Sequence, residues 1–475
     1  MNKLLRYIFI LMTVVSITSC KKFLDVNKNP NSPTTPPING LLTRATSSTA
    51  LNVYRVSTNI TSQYVQYLAS PNSSSPNDIY EPIDASTTWN FLYENMTDIY
   101  DLGKLAESQG ATQYQGVAKI LMALNLHLVH NVWGDAPYSD AFTGNVLTPT
   151  YDNAQTIYQT CLTLIDEGIP LIQKAGSTRL IPTGATGNPD LIHKGQPDAW
   201  VRTAQALKAR LLNQVSKTAQ YNSAAVLTAV GAAYTSAAQD ASITTFDVRN
   251  PWNQEARDNA GLLLKAWLSK YYVESMNGTI YGITDPRLAL NGSLTRFNDY
   301  RGTRNGAGRP STSSGTNKDE SYVNLTGYYS NTGSPLYIIT YEEMKFIEAE
   351  AAFRSNNKTR AYAAYLEGTR ANMIKMGVTT TDREAYVTNP AVSVGEANLT
   401  LRHIFTEKYK ALFLMPVTWD DARRFDYQYQ GFQLPVNVVT TTFVRRLVYP
   451  SVETSRNGKQ VPAVADVTQK LWWDQ

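Results

Sequence analysis

Two histidines are the first residues whose spacing could support chemistry. His127 and His130 lie three residues apart in an apolar stretch, so a helix would place their imidazoles at neighbouring positions on its surface. A zinc site needs at least one further ligand, and Asp135 is a conceivable one. The sequence has no His-Glu-x-x-His pattern, and two packed or helix-surface histidines explain the pair more simply. We therefore predict no metal ion and no cofactor.

Carboxylate pairs are the second candidate, because glycosidases hold two of them across their substrate. Glu342, Glu343, Glu348 and Glu350 fall within one amphipathic helix, where glutamate is a good helix former. We predict that they are solvated and pair with neighbouring helical hairpins. The run DDARR at 420–424 is typical of a helix start, where acidic side chains favour the helix dipole. The sequence also lacks a Gly-x-Ser-x-Gly elbow and a Walker loop, so we predict no catalytic residue and no enzyme.

Aromatic side chains close to polar loops remain as binding candidates. Sugars bind aromatic rings through their apolar face and polar groups through their hydroxyls. The chain has 29 Tyr and 8 Trp, a content that suits a protein presenting aromatic faces to a ligand. Two loop regions combine aromatic and polar side chains. The predicted substrate-binding residues are Tyr80, Asp84 and Trp89 in the first region, and Arg296, Asp299 and Tyr300, next to Arg301, in the second.

Trp89 is the main predicted platform for a sugar ring. The alternative is that Trp89 and Tyr93, four residues apart, simply form the core-facing side of one helix. The two interpretations of Trp89 have equal weight, whereas Tyr93 is expected in the core. Trp252, which follows Asn250 and Pro251, is a further residue expected to be exposed.

Helices must position these residues, because apolar side chains recur at helical spacing along most of the chain. The helices are predicted in pairs with short polar breaks, which indicates an all-α dominated fold of tetratricopeptide-like helical hairpins. The predicted apolar stripes run from Val117 to Leu128, Ile157 to Ile172, Trp200 to Val215, Tyr362 to Met376 and Ile404 to Met415. Residues 69–88 interrupt the helices with a loop. Residues 278–335 hold 9 of the 27 glycines and predict a loop-rich, irregular second half.

The N-terminus indicates export and lipidation. Residues 1–19 have a positive start and a short apolar run, as in a signal peptide. Cys20 follows Ile17-Thr18-Ser19, which resembles a bacterial lipobox, so we predict lipidation of Cys20 and a Pro-rich tether over residues 20–37. Cys161 is then left without a partner, and we predict a buried core thiol. The formal net charge of +4 and the absence of a Lys/Arg block argue against a nucleic-acid partner.

Five segments in order along the chain together resemble the SusD/RagB family of outer-membrane nutrient-binding lipoproteins. They are CKKFLDVN at 20–27, WGDAPY at 133–138, YEEMKFIEAEA at 341–351, KYKALF at 408–413 followed by WDDARR at 419–424, and RLVYP at 446–450 followed by Glu453, Asn457 and LWW at 471–473. Each motif is weak alone, but their order and spread cover nearly the whole mature chain. Lys21 and Lys22 depart from the acidic residues that follow the cysteine in many surface-exported lipoproteins.

The resemblance implies a single SusD-like α-helical domain over residues 38–475, with four tetratricopeptide-like hairpins and a variable loop region at about 278–335. It implies a lipid-anchored outer-membrane protein that faces the cell exterior. Its implied partner is a TonB-dependent outer-membrane transporter (SusC-like), to which it would deliver a captured glycan or peptide. In this family Glu348, Trp419 and Arg423 would tie hairpins together rather than contact ligand.

Two alternatives to substrate capture stay open at this point. A helical-repeat scaffold or lid that binds only protein would lack an aromatic-polar pocket. A surface glycoside hydrolase would lose turnover when one carboxylate pair is changed. The loop aromatics and the lipobox favour substrate capture over the scaffold, and the lack of a recognisable catalytic set disfavours the hydrolase.

Overall fold

The computed structural model describes residues 36–261, 267–310 and 318–475. Cys20, the signal peptide and most of the predicted tether lie outside these residues. Within the described part, none of the helices combines the length and apolar character needed to cross a membrane.

Sixteen α-helices of four or more residues dominate the described part of the chain, and a three-residue helix at Ser62–Tyr64 follows a short π-helix at Ser57–Thr61. The first eight are α1 (Ile38–Val56), α2 (Pro76–Ile79), α3 (Ser86–Ser108), α4 (Thr112–Trp133), α5 (Ala154–Gln173), α6 (Pro197–Gln214), α7 (Ser223–Gly231) and α8 (Pro251–Ala260). The remaining eight are α9 (Lys270–Met276), α10 (Leu288–Asn291), α11 (Tyr341–Arg354), α12 (Lys358–Lys375), α13 (Thr380–Val387), α14 (Leu401–Ala411), α15 (Val417–Arg424) and α16 (Ser451–Arg456). The five predicted apolar stripes fall on α4, α5, α6, α12 and α14, which confirms the all-α dominated fold. Val215 and Met376 lie one residue past the ends of α6 and α12, and Leu412 and Met415 follow the end of α14.

The strands are short and occur in three antiparallel pairs. They are β1 (Leu68–Ala69) with β5 (Trp267–Leu268), β2 (Ala136–Pro137) with β3 (Tyr151–Asp152), and β4 (Ala241–Ile243) with β6 (Leu336–Ile339). Leu68 lies opposite Leu268, and Ala136 lies opposite Asp152. The register of the third pair shifts between Ala241 and Ser242. These pairs fasten loops to the helical scaffold and build no layer of their own.

Helices that follow each other in the chain pack as hairpins, as the tetratricopeptide-like pattern predicted. The packed pairs include α3 with α4, α4 with α5, α6 with α7, and α11 with α12. Helix α4 is the central element, since nearly all of its side chains are buried. It packs closely on α5: a Cβ atom on Gly116 would lie 2.6 Å from the carbonyl oxygen of Gly168. Cys161 of α5 is fully buried, which confirms the predicted core thiol.

Buried ion pairs join the hairpins. The Nη1 of Arg423 donates to the carbonyl oxygens of Asn131 in α4 and Arg445 in the C-terminal segment, at 2.6 and 2.7 Å. Its guanidinium carbon lies 3.7 Å from the centroid of the Trp419 ring. Glu348 accepts from Arg360, which ties α11 to α12. The structural roles expected for Glu348, Trp419 and Arg423 are thus confirmed.

The expectation of solvated carboxylates in α11 is wrong for three of the four. Glu342, Glu343 and Glu350 are buried, and only their predicted pairing holds. Their cationic partners come from other helices or from the next turn of α11. The pairs are Glu342 with Lys375, Glu343 with Arg210, and Glu350 with Arg424 and Arg354. The charged run at 420–424, predicted as a helix start, is likewise buried, but it forms the last five residues of α15, which begins at Val417.

Close backbone contacts explain the glycines of the loop-rich half. A Cβ atom on Gly302 would lie 2.4 Å from the Cα of Lys270. Gly306 has a φ of +80°, and a Cβ atom there would overlap the carbonyl oxygen of Val436. The loop therefore threads between α9 and the segment after α15, where only glycine fits. This packing shapes the groove described below.

Candidate functional site

The first predicted binding region lies in the core. Trp89 and Tyr80 are only 2% and 1% exposed, so neither ring offers a free face to a ligand. Trp89 stacks on Tyr93 at 4.7 Å, and its Nε1 donates to Glu453 at 3.2 Å. The prediction of a sugar platform at Trp89 is wrong in this structure, and the core interpretation of the helix face is confirmed. Trp252, also expected to be exposed, is 4% exposed.

Asp84 links the first residues of two helices through hydrogen bonds. Its carboxylate accepts from the backbone N–H and hydroxyl groups of Ser86 and Ser451, which begin α3 and α16. Slight burial opposes ionisation, but these hydrogen bonds prevail and lower the pKa of Asp84 to about 2. A carboxylate with its acceptor sites used in this way is unsuited to bind a ligand, which corrects the prediction for Asp84.

The second predicted region lies at an open pocket. Arg296 and Tyr300 line a cavity of about 430 Å³, here called the outer lobe. Asp299 does not line it: its carboxylate accepts from Arg301 at 2.8 Å and from the hydroxyl of Thr295. Two of the three residues predicted in this region, Arg296 and Tyr300, therefore share one cavity, and Asp299 supports Arg301.

A second cavity of about 300 Å³, the inner lobe, adjoins the outer lobe. Lys270 and Glu274 on α9 line both lobes, and their side chains lie 3.6 Å apart at the boundary. We call the two lobes together the groove. The other residues of the inner lobe are Gln66, Ser269, Tyr271, Ile280, Arg304, Asn305, Gly431, Gln433, Leu434 and Pro435.

Asp78 joins two chain segments that are distant in sequence, 68–78 and 305–306, beside the inner lobe. Its buried carboxylate accepts from the backbone N–H groups of Ser70 and Gly306 and from Nδ2 of Asn305, at 2.7, 3.3 and 3.0 Å. Burial raises the pKa of Asp78 to about 6 despite these bonds. Nδ2 of Asn305 also donates to the carbonyl oxygen of Leu68 at 2.9 Å. These bonds fix the wall from which Arg304 extends.

Helix α9 is held against that wall at its first turn. The hydroxyl of Ser269 donates to Oδ1 of Asn305 at 2.7 Å and accepts from the backbone N–H of Tyr271. The backbone N–H of Lys270 donates to the carbonyl oxygen of Thr303 at 2.8 Å. Lys270 and Glu274 therefore stand on a rigid support between the lobes, although Lys270 itself is exposed.

The outer lobe carries an exposed aromatic ring. Phe297 is 48% exposed, and in the described part of the chain Phe91, at 36%, is the only other exposed aromatic residue. The guanidinium carbons of Arg296 and Arg301 lie 4.6 and 4.2 Å from the Phe297 ring centroid. Asp319 pairs with Arg296 and holds it in place. The lobe thus presents one ring and two planar cations, all able to lie against a flat ligand.

The chemistry of the groove suits binding of a polyhydroxyl ligand. Side-chain amides, three arginines and a lysine can hydrogen-bond hydroxyls, and Phe297 can cover an apolar ring face. The acids of the outer lobe are paired: Asp319 with Arg296, and Glu320 with Arg309. The described residues include no group of three or more His, Cys, Asp or Glu side chains placed to hold a metal ion.

Sequence reasoning missed several groove residues. Phe297 lies directly beside Arg296 and could have been found by extending the predicted loop by one residue. Lys270 and Glu274 gave no signal, because an i, i+4 ion pair is common on any helix. Gln433 reaches the groove only through a tertiary contact, in which Gln66 donates to its carbonyl oxygen at 2.6 Å.

The comparisons with known proteins agree with this architecture. The family model described as SusD-like, starch-binding associating with outer membrane, matches residues 30–450. The chain belongs to the SusD-like family. No curated protein matches the sequence. The family is one of binding proteins rather than enzymes, and its description associates its members with the outer membrane.

Solved structures of SusD homologues share the fold. A chitin-binding SusD homologue from Flavobacterium johnsoniae is 22% identical with a TM-score of 0.77, over 92% of this chain and 98% of that one. A SusD homologue from Bacteroides uniformis is 20% identical with a TM-score of 0.74, over 92% and 99%. A SusD/RagB family protein from Bacteroides thetaiotaomicron is 20% identical with a TM-score of 0.73, over 93% and 99%.

Proposed function

We propose that this SusD-like protein is a lipid-anchored surface protein that captures a glycan in the groove and delivers it to a TonB-dependent outer-membrane transporter. The observation that carries the proposal is the pair of adjoining lobes of about 300 and 430 Å³ around Lys270 and Glu274. Together they offer room for several sugar units in a row, since ligand pockets commonly span about 300–1,000 Å³.

A glycan fits the groove better than a peptide. The lobes combine an exposed ring with amide and cationic donors, and glycans offer many hydroxyls for such donors. The guanidinium of Arg304 is exposed and has no hydrogen-bond or ion-pair partner among the described residues, so it is available to a ligand. The chitin-binding homologue from Flavobacterium johnsoniae and the starch-binding description of the family support the same ligand class.

A binding screen tests the ligand class and the site together. Residues 21–475 would be titrated by calorimetry with oligosaccharides of starch, chitin and other polysaccharides, and with mixed peptides. Arg304→Ala should weaken binding of the selected glycan by about tenfold, since a hydrogen bond to a charged group contributes about 1.5–3 kcal/mol. Arg402→Ala, at an exposed position on α14, is the matched control and should bind like the wild type. Binding of peptides alone would contradict the glycan assignment.

The anchor is tested at Cys20. In the native host, Cys20→Ala should release the protein from the outer-membrane fraction and abolish labelling with a palmitate analogue, because stable anchoring requires the acyl chains. Protease treatment of intact cells then reports the orientation. Retention of the variant in the outer membrane would overturn the lipid anchor but leave glycan binding untouched.

Delivery to a transporter is tested by isolation of the complex. The tagged, lipidated protein should be purified from detergent-solubilised outer membranes with a TonB-dependent barrel at equal stoichiometry. Deletion of that barrel should stop uptake of the selected glycan while surface binding continues. Uptake that proceeds normally without any such barrel would contradict delivery.

A further inference from the structure

The helical scaffold contains a pocket that the proposed function does not use. This scaffold pocket, of about 250 Å³, lies where α3, α4 and α5 meet. Its lining includes Tyr100, Gly103, Gln115, Met122 and Tyr138. It shares no lining residue with the groove.

A continuous aromatic stack supports one wall of the scaffold pocket. Phe142 stacks on Tyr100 at 5.9 Å and on Tyr93 at 6.2 Å, and its ring meets that of Tyr138 edge-on at 6.0 Å. Tyr93 in turn stacks on the buried ring of Trp89 at 4.7 Å. The stack begins in the core and reaches the surface at Tyr100 and Tyr138, so these two rings are held in place before any ligand arrives.

Gly103 opens the floor of the scaffold pocket. It lies within the 23-residue helix α3, where glycine is less favourable than alanine. Helix packing does not require it, because a Cβ atom there would make only an ordinary contact of 3.6 Å with the Cβ of Ala118. Gly116 and Gly168 differ, since their Cβ atoms would collide with the facing helix. A larger residue at position 103 would extend into the pocket instead.

The polar groups of the scaffold pocket surround an apolar floor. Met122, Ala118 and Leu164 form the floor, and Gln115 and Lys119 stand at the rim. Among the described residues, the hydroxyls of Tyr100 and Tyr138 have no hydrogen-bond partner, so both can donate to or accept from a ligand. An apolar centre with hydroxyl and amide groups around it matches a pyranose ring, which has C–H faces and hydroxyl edges.

We propose that the scaffold pocket is an accessory carbohydrate site that binds a single pyranose unit. Its volume lies below the usual range for pockets that hold larger ligands, which fits one ring and excludes a chain of several. A polysaccharide that engages both the groove and this site would be held at two points, which raises avidity without new contacts at either.

Monosaccharide binding by variants tests the proposal. Residues 21–475 would be screened by saturation-transfer NMR with the methyl glycosides of glucose, galactose, mannose and N-acetylglucosamine. For the probe that binds, Tyr100→Ala and Gly103→Leu should each weaken affinity at least tenfold, the first by removing the wall and the second by filling the floor. Arg402→Ala, outside both sites, should leave it within twofold.

Two controls keep the test decisive. Tyr362→Ala removes a half-buried helical tyrosine outside both sites and reports the effect of such a truncation on folding. Melting curves of all variants identify any that fail to fold, and Tyr100→Ala decides the question if Gly103→Leu is one of them. An unchanged affinity in the folded pocket variants, or no binding by any of the four glycosides, overturns the accessory site. Neither result affects the proposed function of the groove, which the Arg304→Ala variant tests separately.

Discussion

Replacement of Phe297 by alanine should weaken glycan binding, and the structure sets the size of the effect. Phe297 is 48% exposed. A phenylalanine side chain has about 200 Å² of accessible surface, so about 100 Å² of Phe297 is open to a ligand. A sugar that covers half to all of this area gains about 1.2–2.5 kcal/mol at 25 cal/mol per Å². The expected loss of affinity is therefore about 10- to 60-fold.

Phe91→Ala is the matched control for this prediction. Phe91 is 36% exposed on α3, and the guanidinium carbon of Arg55 lies 3.8 Å from its ring centroid. Both substitutions thus remove a partly exposed ring that contacts arginine, at similar small cost to stability. Only Phe297 lines the groove. Phe297→Tyr keeps the ring and should bind the glycan nearly as well as the wild type.

Calorimetry of residues 21–475 with the oligosaccharide selected by the screen gives the affinities. The reasoning is refuted if Phe297→Ala loses no more affinity than Phe91→Ala, whether both variants bind like the wild type or both bind more weakly. A loss in Phe297→Tyr equal to that in Phe297→Ala would refute the stacking argument alone, because it would show that the ring face is not the contact.

Four further substitutions test the scaffold. Arg423→Leu leaves the buried carboxylate of Asp420 without its cation, so denaturant unfolding should show a loss of about 3–5 kcal/mol; a loss below about 1 kcal/mol would contradict this. Burial lowers the pKa of His130 to about 3, below the 6.5 of the unfolded chain. The stability contributed by the neutral imidazole is therefore present above pH 6.5 and falls as the pH drops, because the unfolded chain takes up the proton first. His130→Phe should reduce the stability lost between pH 7 and 5 by about 2 kcal/mol, and an unchanged pH profile would argue against a buried neutral imidazole. Gly116→Ala should destabilise by about 1–3 kcal/mol because its Cβ would lie 2.6 Å from a carbonyl oxygen, whereas Gly103→Ala should stabilise by up to about 1 kcal/mol; equal melting temperatures would contradict the distinction.

The helical scaffold could be predicted because its signals are local. The stripe from Val117 to Leu128 lies on α4, and the one from Ile157 to Ile172 lies on α5. Each needs only the helical period to be recognised. Burial of the carboxylates in α11 was not predicted, because it depends on cations such as Arg210 and Arg424 that other helices supply. The sequence shows the charges but not their distances.

The candidate site was predicted in part, and the reason lies in what a loop pattern can reveal. Arg296 and Tyr300 were found because glycine-rich composition marks an irregular region in which side chains can reach a ligand. Trp89 was misplaced because a tryptophan at the start of a helix has the same local pattern whether it faces solvent or the core. Gln66 and Gln433 meet across 367 residues, and local patterns carry no information on such contacts.

The high tyrosine content has an internal explanation rather than the expected external one. No tyrosine in the described part of the chain is classed as exposed. Many of their hydroxyls donate to backbone carbonyl oxygens of irregular segments: Tyr409 to Val65, Tyr427 to Val444, Tyr449 to Asp135 and Tyr93 to Pro137, at 2.6–3.0 Å.

Carbonyl groups in buried loops have no helix or sheet partner and are costly to leave unpaired. Tyr93 and Tyr409 extend from helices and Tyr427 and Tyr449 from irregular segments, and each fills the space around it with its ring and reaches a carbonyl with its hydroxyl. This arrangement lets an irregular half of the protein be buried against a helical scaffold without a sheet of its own. It also leaves ligand contact to the few rings at the surface, so that Phe297, Tyr300, Tyr100 and Tyr138 are the aromatic residues on which binding experiments should concentrate.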